Sequence, residues 1–240
     1  MAENLPNLIE KFEPHFVGAN VENICGGRGA RESDLKFLQN LGVDFFTGGN
    51  HIFDHEKVFR AKIAENFLIS PGNFEENFRN GAKILQKKNH RILVLNLSGR
   101  IFMKPNLVNC PFRTLEKILK KFENEKFDAR ILDFHAETTS EKYAMKFFAE
   151  QNLTAIFGTH THIATADAQI KNGSFFVSDV GFCGPRESLI GFSFDSVFPQ
   201  FFGKKSIFEV EKNGPRILNG YFLEIKNSKV CNFERIEIID

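Results

Sequence analysis

Residue types that commonly bind metal ions follow four of the apolar runs in this sequence. They are Glu22 and Asn23, Asn50 and His51, His135, and His160 with His162, and they include four of the chain's seven histidines. Ligand sites in open α/β sheets lie outside the carboxyl ends of the strands, so we expect these side chains to meet at one edge of one sheet. A lone histidine after a strand is usually structural, but this recurrence predicts a metal site. Imidazole, carboxylate and amide ligands together suit Mn, Fe or Zn better than Ca.

The HxH pair at 160–162 indicates two metal ions. A single ion reaches both His160 and His162 only if the backbone bends there, whereas two ions that share Glu22 as a bridge would use both. Two ions about 3.5 to 4 Å apart can hold a phosphate between them and make hydroxide available near neutral pH. The pattern therefore predicts hydrolysis of phosphoesters.

Other residues beside the predicted ligands are candidates for the remaining roles. His51 adjoins the predicted ligand Asn50 and would be free to protonate the leaving oxygen, with Asp54 orienting its ring. Thr159 and Thr161 are candidate substrate-binding residues through their hydroxyls, although threonine is also common in extended backbone.

Three further features stay open between a functional and a structural interpretation. The glycine-rich stretch 26–29 could cradle a phosphate with its N–H groups, but it lacks the Lys-Ser/Thr of a P-loop. Asp179 fits either a residue behind a metal-binding histidine or an ordinary turn acid. Asn96 and Arg100 could contact substrate or lie at a solvated strand end.

Helices and strands alternate through most of the chain, and this alternation must position the candidate residues. The periodicity predicts helices over 4–13, 32–41, 56–66, 113–125, 140–152 and near 195–202. Strands are predicted over 15–21, 43–49, 82–86, 90–99, 129–134, 153–158, a hairpin turning at Asn172-Gly173, 206–211, 216–225 and 229–239. This order predicts a single α/β domain over residues 1–240, a four-layer αββα sandwich with mixed sheets.

Composition excludes several other classes. The 240 residues carry 31 Lys and Arg against 30 Asp and Glu, so charge gives no reason to expect nucleic acid or an anionic membrane as the main partner. Four scattered cysteines without a CxxC pair exclude a zinc ribbon and a disulfide scaffold, and favour a cytoplasmic location. We expect no signal peptide and no membrane span. The absence of GxGxxG disfavours a dehydrogenase, and an HxH pair this late disfavours a TIM-barrel amidohydrolase.

Five motifs in order along the chain carry a more specific resemblance. They are ANVEN, GGNHIFD, DFHAETTSEK, GTHTHIATAD and SDVGFCGP. Together they resemble the calcineurin-like metallophosphoesterases and, more narrowly, their YmdB-type bacterial branch, over about residues 17–235. The resemblance implies an αββα fold, a dinuclear metal centre and hydrolysis of phosphodiesters such as 2',3'-cyclic nucleotides.

The resemblance also implies individual roles. Glu22 would bridge the two ions, His51 would take the catalytic position, and the remaining ligands would be Asn23 and His162 on one metal and Asn50, His135 and His160 on the other. The implied cofactors are two divalent ions, Fe or Mn, with Zn as an alternative. The implied partner is a small phosphodiester or cyclic nucleotide, or an RNA end.

The beginning of the chain departs from the family pattern. Family members start with a strand and a Gly-Asp motif whose Asp binds the first metal, and no Asp precedes Glu22 here. Either the true start lies upstream of Met1, or the chain is a weakened or inactive homologue that binds a nucleotide or a protein as a regulatory module. We favour the first explanation because every downstream ligand is retained. A missing central strand would expose sheet edges, which leads us to expect a homo-oligomer.

Overall fold

The structure of the chain is a computed structural model that describes residues 3–74, 81–103 and 108–240. Its helices are α1 (Asn4–Phe12), α2 (Glu32–Asn40), α3 (Lys62–Phe67), α4 (Pro111–Lys121), α5 (Thr139–Ala149) and α6 (Phe194–Val197), with 3₁₀ helices at Asn50–Arg60 and Phe198–Phe202. Its strands are β1 (Gly18–Asn20), β2 (Phe45–Thr47), β3 (Leu68–Ile69), β4 (Ala82–Lys87), β5 (His90–Ser98), β6 (Ala129–His135), β7 (Ala155–Thr159), β8 (Gln169–Lys171), β9 (Ser174–Val177), β10 (Gly184–Pro185), β11 (Arg216–Lys226) and β12 (Lys229–Ile239).

Within the described residues, the strands form three hydrogen-bonded sheets. The largest has the order β4-β5-β6-β7-β9-β8, in which β5, β6, β7 and β9 run parallel and the two edge strands run antiparallel to their neighbours. The order β1-β2-β3 makes a parallel sheet, and β10-β11-β12 makes an antiparallel one. Both three-stranded sheets pack on the same face of the large sheet.

Side chains along β5 and β6 point alternately to the two faces of the large sheet, and each face is covered by a different layer. Leu93, Leu95 and Leu97 point to the face covered by α4 and α5, where they join a core that includes Leu115 and Phe134. Residues of the opposite parity pack against the two smaller sheets. Another core fills the space between the β1-β2-β3 sheet and the helices α2 and α3. The result is four layers, helix, sheet, sheet and helix, which confirms the predicted αββα sandwich.

Several local predictions are also confirmed. The 82–86 and 90–99 runs form the antiparallel hairpin β4-β5. Asn172 and Gly173 turn the β8-β9 hairpin with φ angles of 55° and 85°, the left-handed conformation that this dipeptide accommodates.

Three sequence predictions are wrong in detail. The run 206–211 forms no strand; Val210 makes one isolated bridge with Phe192, and Ile207 stays 86% exposed because no sheet covers it. The helix predicted over 56–66 divides at Ala61, whose ψ of 134° separates the first 3₁₀ helix from α3. The four ligand-bearing strand ends belong to two sheets instead of one, with β1 and β2 in the small sheet and β6 and β7 in the large one. Among the described residues, no helix has the length and apolar character needed to cross a membrane.

Candidate metal centre

The predicted ligands converge where the β1-β2-β3 sheet faces the large sheet at the carboxyl ends of their strands. Glu22 follows β1, Asn50 follows β2, His135 ends β6 and His160 follows β7. Gly49 lies within the group, because a Cβ on this residue would collide with Glu22 and His135. Glycine therefore permits the backbone after β2 to approach the ligands closely.

Ligand atoms from three other residues surround His135 Nε2. This nitrogen is 2.7 Å from Glu22 Oε2, 3.1 Å from Asn50 Oδ1 and 2.9 Å from His160 Nδ1. Glu22 and His135 are only 2% and 1% exposed, so protein atoms replace water around them. Carboxylate and imidazole atoms of Glu22, His135 and His160 lie within 4.8 Å of one another, as one ion would require.

Hydrogen bonds on the outer side of the His135 and His160 rings determine which ring nitrogens carry a proton. The Thr159 hydroxyl donates to Asp133 Oδ1 at 2.7 Å, so it can only accept from His135 Nδ1, 3.0 Å away. His160 Nε2 lies 2.8 Å from Glu137 Oε2 and donates to it. In neutral rings, the nitrogens that point into the cluster therefore carry lone pairs.

This donor set fits a metal cation. Two imidazole lone pairs, a carboxylate oxygen and an amide oxygen face one another, and acceptors this close require a positive charge between them. A proton shared by His135 and Glu22 would satisfy only that pair, whereas a divalent ion would satisfy all four atoms. Mixed nitrogen and oxygen ligands of this kind suit Mn, Fe or Zn.

Electrostatics set the charge of two members of the cluster, Glu22 and His160. Burial alone would raise the pKa of Glu22, but the charge of His135 and hydrogen bonds from His135 and the His51 N–H lower it to about 2. Burial, together with repulsion from His135, lowers the pKa of His160 to about 4. Glu22 is thus ionised and His160 neutral near pH 7.

Asn23 and His162 form a second group next to Glu22. The side-chain amide of Asn23 is 2.9 Å from His162 Nε2, and His162 Nδ1 lies 3.1 Å from the Ile190 carbonyl oxygen, to which it donates. With its amide turned, Asn23 donates to the carbonyls of Gly27 and Glu22 and points its oxygen at His162 Nε2. In this orientation the Asn23 oxygen and His162 Nε2 lie 2.9 Å apart, close enough for both atoms to bind one ion.

His51 and Asp54 lie at the edge of the cluster. His51 Nδ1 is 2.9 Å from Asp54 Oδ2, and the His51 backbone N–H donates to Glu22 Oε1 at 3.0 Å. Arg28, from the glycine-rich stretch, reaches the same Asp54 oxygen at 3.5 Å. Asp54 thereby holds the ring of His51 and leaves Nε2 for another partner.

The two threonine hydroxyls have partners inside the protein. Thr159 is 7% exposed and bonds to Asp133 and His135. The Thr161 hydroxyl donates to Asp179 Oδ2 at 2.7 Å. These contacts favour roles in orienting the histidines over the direct substrate contacts predicted for both threonines.

Sequence reasoning missed two acids that orient the histidines. Asp133 accepts hydrogen bonds from Asn20, Thr47 and Thr159, and burial raises its pKa against the effect of these donors. Its position two residues before His135 on β6 places it on the same face, a signal that was available from the sequence. Glu137, the acid that binds His160, lies beyond the end of β6, where strand alternation does not predict the direction of its side chain.

Comparison with known proteins identifies one matching family. The family described as YmdB-like protein matches residues 1–238. A 2',3'-cyclic-nucleotide 2'-phosphodiesterase of Bacillus subtilis strain 168 is 31% identical over 242 residues, which cover 99% of this chain and 90% of that relative.

Two solved structures are similar as well. A novel phosphatase of Mycoplasma pneumoniae is 34% identical with a TM-score of 0.92, and the match covers 99% of this chain and 87% of that one. A hypothetical protein from Thermus thermophilus is 29% identical with a TM-score of 0.90, over 100% of this chain and 92% of that one. The similarity to each extends over nearly all of the chain.

Proposed function

Because the chain belongs to the YmdB-like protein family of metallophosphoesterases, we propose that it hydrolyses phosphodiesters of the 2',3'-cyclic nucleotide class with a dinuclear metal centre. The observation that carries the proposal is the convergence of acceptor atoms from Glu22, Asn50, His135 and His160 beside the His51–Asp54 pair. The similarity to a relative named for this substrate class supports the choice of substrate.

The ligands divide between two ions in this proposal. Asn50, His135 and His160 would hold one ion, Asn23 and His162 would hold the other, and Glu22 would serve both as the shared ligand. When bound, divalent ions polarise the phosphodiester and activate water for attack. Mn or Fe fits the ligand set, with Zn as the alternative.

The chain's own residues perform the proton chemistry. As a water oxygen bonds to phosphorus and the bond from phosphorus to a ribose oxygen breaks, that oxygen needs a proton. His51 Nε2 delivers it as a general acid, because Asp54 binds Nδ1 and fixes the ring. The hydrogen bond from the His51 backbone N–H to Glu22 fixes the position of the general acid, His51, relative to the shared ligand, Glu22.

The test measures turnover and metal content in one sample. The purified chain receives Mn or Fe, hydrolysis of 2',3'-cyclic AMP is followed, and bound metal is counted per chain. We expect turnover with about two ions per chain. His135→Ala should lower metal content and activity together, since it removes the central ligand.

A matched control removes a different imidazole. His90 begins β5 at the opposite end of the large sheet from the candidate centre, so His90→Ala should keep both metal content and turnover. Full metal content without hydrolysis of the cyclic nucleotide would contradict the proposed activity and favour a binding role. Unchanged metal content in His135→Ala would contradict the ligand assignment.

A further inference from the structure

An ion pair lies fully inside the protein behind the HxH segment, and the proposed function leaves it without a role. Lys142 Nζ on α5 is 3.2 Å from Asp179 Oδ2, and each side chain is only 1% exposed. Removing two charges from water has a desolvation cost that can exceed their attraction, so a buried pair is weak evidence for a contribution to stability. The partners of Asp179 indicate a more specific role.

Asp179 binds the residue between the two candidate ligand histidines. Its Oδ2 accepts from the Thr161 backbone N–H at 2.9 Å and from the Thr161 hydroxyl at 2.7 Å, and its Oδ1 accepts from the Gly181 N–H at 2.9 Å. Lys142 donates to the same Oδ2 that holds Thr161. The carboxylate therefore ties the segment 160–162 to helix α5.

The backbone of this segment is strained on both sides of Thr161. His160 has a φ of 104° and His162 a φ of 64°, which side chains with a Cβ rarely adopt. Such conformations are unfavourable and persist only where surrounding contacts enforce them. The two hydrogen bonds from Thr161 to Asp179 are such contacts, and Thr161 lies between the two strained residues.

We propose that Asp179 and Lys142 are positioning residues that hold the bent backbone of 160–162 and thereby aim both histidine rings at the metal centre. This inference rests on the proposed function, since it requires His160 and His162 to be ligands. Lys142 balances the buried charge of Asp179 and fixes its Oδ2 in the position where Thr161 binds. Neither residue contacts the candidate ligand atoms, so both act through Thr161.

Asp179→Asn tests the inference because an amide cannot reproduce the contacts of the carboxylate. All partners of the two oxygens are donors, so the amide nitrogen that replaces one oxygen must face Thr161 or Gly181 and lose that bond. We expect Mn²⁺ affinity of the metal-free full chain, measured by titration, to fall about 10- to 100-fold, as for residues that orient metal ligands. Lys142→Met should act in the same direction.

Thr161→Val and Thr161→Ser keep the test valid if the buried-charge variants fail to fold. Val removes only the hydroxyl bond to Asp179 and should weaken Mn²⁺ binding, whereas Ser keeps that bond and should restore it. Thr154→Val is the matched control, because it removes a threonine hydroxyl that accepts from the Arg130 N–H and donates to the Ser228 carbonyl oxygen, far from the centre. It should lower the melting temperature without changing Mn²⁺ affinity.

The outcomes separate this inference from the proposed function. If wild-type protein binds Mn²⁺ and Asp179→Asn and Thr161→Val bind it equally well, the positioning role is refuted and the metal centre stands. A loss of affinity in Thr154→Val equal to that in Thr161→Val would also refute it, since destabilisation alone would then explain the effect. Wild-type protein that binds no Mn²⁺ would overturn both.

Discussion

Thr159→Val is the sharpest perturbation of the candidate metal centre. The substitution keeps the shape of the side chain and removes the hydroxyl that lies between His135 Nδ1 and Asp133. Metal binding requires a lone pair on His135 Nε2, so the ring proton must then stay on Nδ1. In the variant, that proton has no acceptor.

The magnitude follows from the burial of this ring. His135 is 1% exposed, and an unsatisfied buried donor costs about 1–3 kcal/mol. The metal-free variant avoids this cost, because its proton can move to Nε2 and bind Glu22, 2.7 Å away. Asp133 also loses the hydroxyl as a donor, but this cost is the same in the metal-free and the metal-bound variant, so it does not change the metal affinity. Metal affinity should therefore fall about 5- to 150-fold.

The assay is a Mn²⁺ titration of metal-free protein, with thermal unfolding of the same sample. Thr159→Ser keeps the hydroxyl and should bind Mn²⁺ like the wild type. Thr154→Val makes the same change just before the amino end of β7, where it should affect only the melting temperature. Wild-type Mn²⁺ affinity in Thr159→Val would refute the reasoning that Thr159 sets the protonation of His135.

Three further predictions concern catalysis, pH and the core. His51→Ala should lower kcat by about 10²- to 10⁴-fold with unchanged metal content, because general acid catalysis is lost; steady-state kinetics with metal analysis checks this. Burial opposes ionisation of Asp167, but hydrogen bonds from Ser178 and Thr165 outweigh it and lower the pKa. Its contribution to stability is therefore present above about pH 4 and lost as pH falls through the lowered pKa, so the melting temperatures of wild type and Asp167→Asn should differ at pH 7 and converge in acid. Phe134→Ala, in a fully buried site, should lower the free energy of unfolding by about 3–5 kcal/mol in urea titrations.

Local features of the sequence were sufficient to predict the order of the helices and strands and to identify the candidate ligands. Period-two and helical patterns are properties of adjacent residues, so β5, β6, α4 and α5 are readable without the fold. Glu22, Asn50, His135 and His160 were identified as candidates because each is a polar residue that follows an apolar run. The carboxyl ends of parallel strands line ligand sites. The Asn172-Gly173 turn was readable for the same local reason.

Contacts between segments far apart in the chain decided the sheet pairing, the bend at 160–162 and the conformation of the 206–211 run. The sequence does not show that β1 and β2 belong to a different sheet from β6 and β7, because pairing depends on which strands meet in space. The bend at 160–162 is held by Asp179, and Asp179 by Lys142, 37 residues away along the chain. The run 206–211 alternates like a strand and forms none, since alternation becomes a strand only where a partner offers hydrogen bonds and a face to bury against. The sequence by itself thus determined which residues are available for chemistry, and the tertiary structure decided their orientation, because orientation depends on hydrogen bonds between residues far apart in the chain.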